Sequence, residues 1–368
     1  MSTTVSDPTV TEQAETFAGR LFGATLGALE LFSVYLGVEL GLYAAMRDAA
    51  PLTPSGLARA ANIDERYARE WLEQQAVAGN VETENAYVPA NERRYALPTG
   101  HSEALLDPES LNYVVPFGGF LRCVPPAIPA LLEAYRTGGG VHYSLYDPHH
   151  RQAQAAFNRP VFATLLVNEW LSNGVPDVHE RLLADPPARV ADIGCGHGWS
   201  SIAIARGYPT VQVDGIDIDA PSIAEARKNA AEAAVTDRVM FSIPDATDPA
   251  LQSSYDLVVM FEVLHDLSHP VEMLRNVKRL LTPGGTAIVM DERVADQFTA
   301  PGDDIERFMY AASVLHCLPT AMTDQPSAAT GTVLRTGTVR RLATEAGFSR
   351  VDVVPIEHDF FRFYRLAH

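Results

Sequence analysis

The sequence predicts an α/β chain: a doubly wound, largely parallel sheet of seven strands closed by a C-terminal antiparallel hairpin, behind a mainly helical N-terminal domain. Three observations predict it. Beyond residue 188, short apolar runs alternate with helical patterns, the rhythm of a parallel sheet covered on both faces. The chain closes on two strand-like runs, near 349–355 and 360–366, that pair as a hairpin. The first 110 residues carry helix caps and only two short β patterns.

In chain order, residues 1–14 are polar and read as disordered. Phe17 to Met46 is the most apolar stretch, but Arg20, Glu30 and Glu39 cut it. A membrane-spanning helix needs about 20 apolar residues in a row, so the stretch reads as two buried amphipathic helices. Thr53-Pro54 starts a further helix, and after the Ala61-Asn62-Ile63 turn Asp64 caps another, running to about Ala78. Strand patterns at 80–84 and 94–97 complete a winged-helix order: helix, turn, helix, hairpin. Residues 101–187 are mostly helical, with a break at Gly138-Gly139-Gly140. The domain limits expected are 1–110, a helical connector over 111–180, and 181–368.

The second half then alternates. Strands are expected at 189–193, 211–216, 238–243, 255–261 and 286–290. Helices lie between them at 200–206, 221–233 and 270–281. A long helix at 304–318 and another at 338–346 precede the final hairpin.

Charge and composition narrow the function. The 368 residues hold 28 Lys+Arg against 46 Asp+Glu, a net charge of −18. An acidic surface opposes nucleic acid, which binds by releasing counterions to a basic face, and opposes anionic lipid. Winged helices often read DNA, but residues 1–110 carry 7 basic and 16 acidic side chains, a net of −9. The helix that would enter the groove bears Arg66 and Arg69 among Asp64, Glu65, Glu70 and Glu73. Its sign is wrong for that task. Cys123, Cys195 and Cys317 are too few and too far apart for a disulfide framework or a Cys-rich zinc site. No signal peptide is visible, and a cytoplasmic location without membrane or nucleic-acid partners is expected.

The chemistry-bearing motifs fall at strand ends. Asp192-Ile-Gly194-Cys-Gly196-His-Gly198 follows the 189–193 strand and leads into a helix. Its glycines allow a tight turn and close approach to a ligand, and the helix start offers free N–H groups. Asp217 ends the next strand, 25 residues beyond Asp192, where a carboxylate accepts hydrogen bonds from ribose hydroxyls. Pro244-Asp245-Ala246 follows the third strand, in reach of an adenine amino group. Taken singly, Asp217 also reads as a helix cap and Asp245 as a turn residue. The ordered set points to a bound nucleoside.

The end of the fourth strand carries Glu262-Val-Leu-His265-Asp266-Leu-Ser-His269-Pro270. In open sheets substrates lie beyond the carboxyl ends of the strands. His265 there reads as a general base oriented by a carboxylate, as a metal ligand with Asp266, or as a plain strand cap. In the 304–318 helix, Ile305, Met309, Ala312 and His316 share one apolar face. His316 therefore points inward, either as an ordinary core histidine or as the second histidine of a two-His, one-carboxylate set. His269, Asp291 and Glu292 are rival ligands.

The set Asp192-x-Gly194-x-Gly196-x-Gly198, Asp217 and Asp245, with Pro283-Gly284-Gly285 before the fifth strand and the hairpin opening at Gly347-Phe348, resembles the class I S-adenosylmethionine-dependent methyltransferases over about residues 170–368. The resemblance implies a Rossmann-like sheet. It also implies that Gly194 and Gly196 border the methionine portion, Asp217 holds the ribose and Asp245 the adenine. The cofactor set is then Asp192, Gly194, Gly196, Asp217, Asp245, Ala246 and Phe261. A nicotinamide enzyme would need a second binding half, which the closing hairpin opposes. The front half is similar to the dimerisation domain of many small-molecule methyltransferases, which implies a homodimer.

Val263-Leu-His265-Asp266 with Val314-Leu-His316-Cys-Leu-Pro319 resembles a subgroup that includes metal-dependent α-keto-acid C-methyltransferases of actinobacterial peptide-antibiotic pathways. That resemblance implies one iron or zinc ion on His265, Asp266 and His316, a keto acid chelated to it, and methylation at the β-carbon. Arg122 would compensate the substrate carboxylate; Tyr143, Tyr146, His149, His150 and Arg151 are further residues of the connector. Phenolic O-methyltransferases of the plant type share the His-Asp pair, with the His as base, and leave a metal-free O-methyltransferase as the alternative. A winged-helix DNA-binding regulator is the third reading.

Overall fold

A computed structural model describes residues 8–243 and 254–367. The chain divides into two compact units, residues 1–122 and 123–368.

The first unit opens with α1, Val10–Glu39, started by a reciprocal cap between Thr9 and Glu12. Helix α2 is Leu42–Met46, α3 Pro54–Ala61 and α4 Glu65–Val77. Thr53 caps α3 and Asp64 caps α4, as the sequence predicts, each through its side-chain oxygen. Strands β1 (Glu82–Thr83) and β2 (Tyr95–Ala96) pair antiparallel as the short wing. Helices α5 (Thr99–Leu106) and α6 (Pro116–Cys123) follow. Tyr43, Leu57, Leu72, Trp71 and Tyr95 form the core.

Two expectations for this unit need correction. Helical structure begins at Val10, inside the stretch read as disordered over 1–14, because the Thr9–Glu12 capping box satisfies the first backbone donors. The two buried helices expected over 17–46 are instead one 30-residue helix followed by the short α2. The chain turns only at Gly41, whose φ is +68°. Gly37 alone is buried along α1, and Phe17, Phe22, Leu29 and Leu36 are exposed. By length and composition α1 is long and apolar enough to cross a membrane.

The second unit begins with helices α7 (Ile128–Thr137) and α8 (His149–Val161), the latter continuing as a wider π-type coil over Phe162–Gly174. Helix α9 is Pro176–Leu183. The alternation then runs β3 (Arg189–Ile193), α10 (Trp199–Gly207), β4 (Gln212–Ile216), α11 (Ala220–Glu232), β5 (Val239–Ser242), β6 (Tyr255–Phe261), α12 (Pro270–Leu280) and β7 (Leu281–Glu292). Helices α13 (Asp304–Ala312), α14 (Leu318–Ala321) and α15 (Thr336–Glu345) precede β8 (Arg350–Val353) and β9 (Phe361–Ala367).

The seven strands lie in the order β5-β4-β3-β6-β7-β9-β8. All neighbours are parallel up to β7; β9 inserts antiparallel between β7 and β8. The doubly wound sheet with its antiparallel hairpin is therefore borne out. Alternate strand residues face opposite cores, since strand side chains alternate. Val190, Leu257, Val259 and Ile288 pack with α9, α10 and α11 on one face. Ala191, Val258, Met260 and Val289 pack with α12 and α15 on the other. The order reverses between β3 and β6, which opens a crevice at their carboxyl ends.

The expected helix over 304–318 is not continuous. It widens into a π-type turn at Ser313–Cys317 between α13 and α14. Pro319, at the start of α14, cannot donate the backbone hydrogen bond of a regular helix.

Candidate active site

The glycine loop leaves β3 at the crevice. Gly194, Gly196 and Gly198 all take positive φ, at +72°, +51° and +81°. A Cβ on Gly196 would meet no atom within 4 Å, so this stretch of backbone faces open space that a ligand can approach. Asp192 is buried, and its Oδ2 accepts from Ser200 Oγ at 2.5 Å and Ser201 Oγ at 2.6 Å. Burial pushes its pKa up to about 6, against those hydrogen bonds. Asp192 thus ties the loop to α10 from behind.

Asp217 follows β4. Its Oδ2 accepts from Gly196 N at 2.9 Å and its Oδ1 from Asp219 N at 2.8 Å. Each oxygen keeps a lone pair, enough for two ribose hydroxyls. Arg151 holds the neighbouring Asp219 through Nε at 2.7 Å and an Nη at 2.9 Å. Ile218 and Ile243, just past β4 and β5, are 90% and 54% exposed and offer apolar surface to a flat base. Sequence reasoning missed both; apolar residues beside an acidic strand end were the available signal. Asp245 and Ala246 lie outside the described residues. The Phe261 ring is in the core, 5.5 Å from the Phe162 ring, so its backbone is the part nearest the crevice end of β6.

Beyond β6 the chain makes a sharp bend. Glu262 has a φ of +57°, a conformation that side-chain-bearing residues adopt at a cost of about 1–3 kcal/mol and that clusters at functional sites. Its Oε2 accepts from Asn158 Nδ2 and, at 3.2 Å, from Gln154 Nε2. Burial raises its pKa to about 7. The sequence gives no sign of that backbone conformation.

The bend delivers His265 into a nest of acids. Its ring is only 3% exposed; Nδ1 lies 2.7 Å from Asp291 Oδ1 and Nε2 lies 3.2 Å from Asp266 Oδ1. Glu292 Oε2 is 3.1 Å from Nδ1, yet it has no properly directed hydrogen bond, and neither has Asp291 Oδ2. Burial favours the neutral ring, but Glu292, Asp266 and Asp291 outweigh it and hold His265 well above the ordinary imidazole range. Burial likewise lifts Glu292, whereas His265 keeps Asp266 and Asp291 below the usual carboxylate range against it. Asp266 keeps 41% of its side chain exposed. Thr330 Oγ1 pins the loop by donating to the His265 carbonyl at 3.0 Å.

His316 comes from the π-type turn. Its ring stacks on His150 at 4.0 Å with 13° between planes, and Tyr146 meets it edge-on at 4.5 Å. The Tyr143 hydroxyl is 3.1 Å from His150 Nδ1. Burial depresses both imidazoles, His150 to about 3 and His316 to about 4. Both are therefore neutral, the form that binds metals. His316 Nε2 is buried without a hydrogen-bond partner. An orphaned imidazole nitrogen and a surplus of carboxylates fit a cation. His269 pairs instead with Asp324 at 3.0 Å. Arg122 belongs to the first unit, where its guanidinium donates to the Tyr35 hydroxyl.

Comparison with known proteins bears on the fold and the domain order. A family model described as a methyltransferase domain matches residues 184–345, and one described as an Rv2258c-like winged HTH domain matches residues 27–106. The 27-O-demethylrifamycin SV methyltransferase of Amycolatopsis mediterranei is 36% identical over 104 residues, 28% of this chain and 38% of that protein. The ajmaline N-methyltransferase of Rauvolfia serpentina is 27% identical over 171 residues, 44% of this chain and 57% of that protein. The chain thus spans about half or less of these curated relatives. The solved structure of PigF with SAH superposes with a TM-score of 0.70 at 17% identity, covering 95% of this chain and 99% of that one. The chain therefore has the methyltransferase fold, with a winged-helix domain before it.

Proposed function

We propose that this protein transfers a methyl group from S-adenosylmethionine to the β-carbon of an α-keto acid held on one iron or zinc ion by His265, Asp266 and His316. The methyltransferase part is supported by the domain match over 184–345 and by the open glycine loop with Asp217 beside it. The observation that carries the finer reading is His316 Nε2, buried without a partner on a ring that interacts electrostatically with Asp266 and His265. Such a polar atom costs about 1–3 kcal/mol unless something binds it.

When bound, the metal supplies Lewis acidity that favours the enol form of a chelated keto acid. The chain's own residues do the rest. Asp291 accepts the Nδ1 proton of His265 and so presents Nε2 to the pocket. Asp217 and the loop hold the cofactor so that its methyl lies in line with the attacking carbon. The carbon–carbon bond forms as the sulfur–methyl bond breaks, leaving S-adenosylhomocysteine, and the β-proton is lost to solvent.

One observation favours a second reading. The His265–Asp291 pair has the geometry of a general base with its orienting carboxylate. That suits O-methylation of a hydroxyl without metal. The two separate cleanly. In the first, His316→Ala loses metal and activity together; in the second, strong chelators leave activity unchanged and only His265 is essential.

A homodimer formed through α1 is part of the proposal. Its exposed Phe22, Leu29 and Leu36 share one side of the helix and make an apolar face that a second copy would cover. Leu29→Glu should shift the sedimenting species to monomer, whereas detergent-dependent solubility would assign the helix to a membrane. A role in DNA binding is not favoured, because on α4 Arg66 pairs with Glu70, and Arg93 of the wing pairs with Glu73. Salt-sensitive duplex binding would revive it.

A further inference from the structure

Cys317 is a donor beside His265 that the ligand set above leaves out. Among the described residues, donor atoms of His265, Asp266 and Cys317 lie within 4.8 Å of one another. Donors around a tetrahedral zinc stand about 3.5 Å apart, given metal–ligand bonds of about 2.0–2.3 Å. His265 Nε2 and Asp266 Oδ1, at 3.2 Å, already have that spacing. The thiol needs to move by about 1 Å or little more.

The local backbone explains why two neighbouring residues both turn toward this point. In a regular helix, consecutive side chains diverge and only one of a pair faces the pocket. The π-type turn at Ser313–Cys317 is wider, which lessens the divergence of consecutive side chains, a distortion found mostly at functional sites. It leaves Cys317 Sγ 3.7 Å from His316 Nδ1, while His316 Nε2 is the unpartnered atom. On the opposite, Nδ1 edge of His265, Asp291 Oδ2 and Glu292 Oε2 are buried without hydrogen bonds, on residues 0% and 5% exposed; these acids hold the ring from behind and leave Nε2 as its ligand atom.

We propose that Cys317 Sγ is itself a ligand of the metal ion, binding as a thiolate together with His265, Asp266 and His316; the inference rests on the metal-bearing reading of this site. On binding, the sulfur–hydrogen bond breaks, the proton leaves to solvent, and the sulfur electron pair goes to the metal. A thiolate among imidazole and carboxylate donors selects a borderline-soft divalent ion, zinc or ferrous iron, over magnesium or calcium.

Cobalt(II) titration of the metal-free full chain tests this, because a cobalt–thiolate bond gives an intense near-ultraviolet charge-transfer band that nitrogen and oxygen ligands do not. The wild type should take up one equivalent and develop the band. Cys317→Ser and Cys317→Ala should lose it and bind cobalt about tenfold more weakly or worse. Cys123→Ser, which removes a thiol of no part in the site, should keep it. Circular dichroism confirms that each variant is folded. One equivalent of cobalt bound by the wild type with visible ligand-field bands but no charge transfer would overturn the role of Cys317 while sparing the metal site. No uptake of cobalt by the wild type would overturn both.

Discussion

Alanine at Gly194 and alanine at Gly196 should separate the loop's structural duty from its binding duty. At Gly194 the backbone is left-handed, at φ +72°, and a new Cβ would stand 2.3 Å from Val263 Cγ2 and 3.1 Å from Cγ1. The left-handed conformation costs about 1–2 kcal/mol for an L-residue, and overpacking adds about 1–3 kcal/mol. The sum, about 2–5 kcal/mol, corresponds to a fall in Tm of about 5–15 °C for a unit of this size. Gly196 is different. Its φ is +51°, and nothing lies within 4 Å of the added atom. Only the backbone term applies, about 1–2 kcal/mol. The space it fills, however, is where the cofactor's backbone contacts would be made. Gly196→Ala should therefore lose S-adenosylmethionine affinity by tenfold or more, about 1.4 kcal/mol, at small cost in Tm. Calorimetric unfolding and isothermal titration of both variants read the two quantities separately. Wild-type affinity in Gly196→Ala, or wild-type stability in Gly194→Ala, would refute the assignment of the loop.

Three further outcomes follow from other residues. Asp217→Asn should weaken S-adenosylmethionine binding by about tenfold or more in the same titration, since it removes an acceptor for the ribose hydroxyls. Asp192 has a folded pKa raised by burial to about 6 from 3.8. Its contribution to stability is thus fully present below about pH 4 and is lost as pH rises through 6, by about 3 kcal/mol in all. Denaturant midpoints of wild type and Asp192→Asn should therefore diverge between pH 4 and 7, with the wild type losing ground; parallel curves would remove this account. Finally, Arg335→Leu strands the 2%-exposed Glu306 without its ion-pair partner. It should cost about 3–5 kcal/mol and speed amide exchange over 304–317, read by mass spectrometry.

The sheet was legible because its strands are buried on both faces and bounded by polar caps. Leu257 to Phe261 is a continuous apolar run, and Val190 to Ile193 is broken only by the buried Asp192, the pattern of strands covered on both sides. The caps at Thr53 and Asp64 were equally readable. Helix α1 was not, because apolar residues lie on several of its faces and periodicity cannot tell a buried face from one awaiting a partner. The site was half legible. Asp217, His265, Asp266 and His316 could be named from their positions at strand ends and on an apolar helix face. Asp291 and Glu292 appeared only as rival ligands, because their closeness to His265 depends on β7 running on past its pairing with β6 to residue 292, where it pairs with β9. The positive φ of Glu262 and the π-type turn before Cys317 arise from tertiary packing, and no local sequence signal carries either.

The central claim is carbon methylation of a metal-chelated keto acid. The most direct measurement supplies S-adenosylmethionine with a carbon-13 methyl group to the zinc- or iron-loaded full chain and a panel of α-keto acids, and locates the label by NMR. The account predicts a methyl doublet coupled to the β-proton of the product, abolished by chelator and by His316→Ala. A label found on oxygen, or carbon methylation undiminished in metal-free protein, would contradict it.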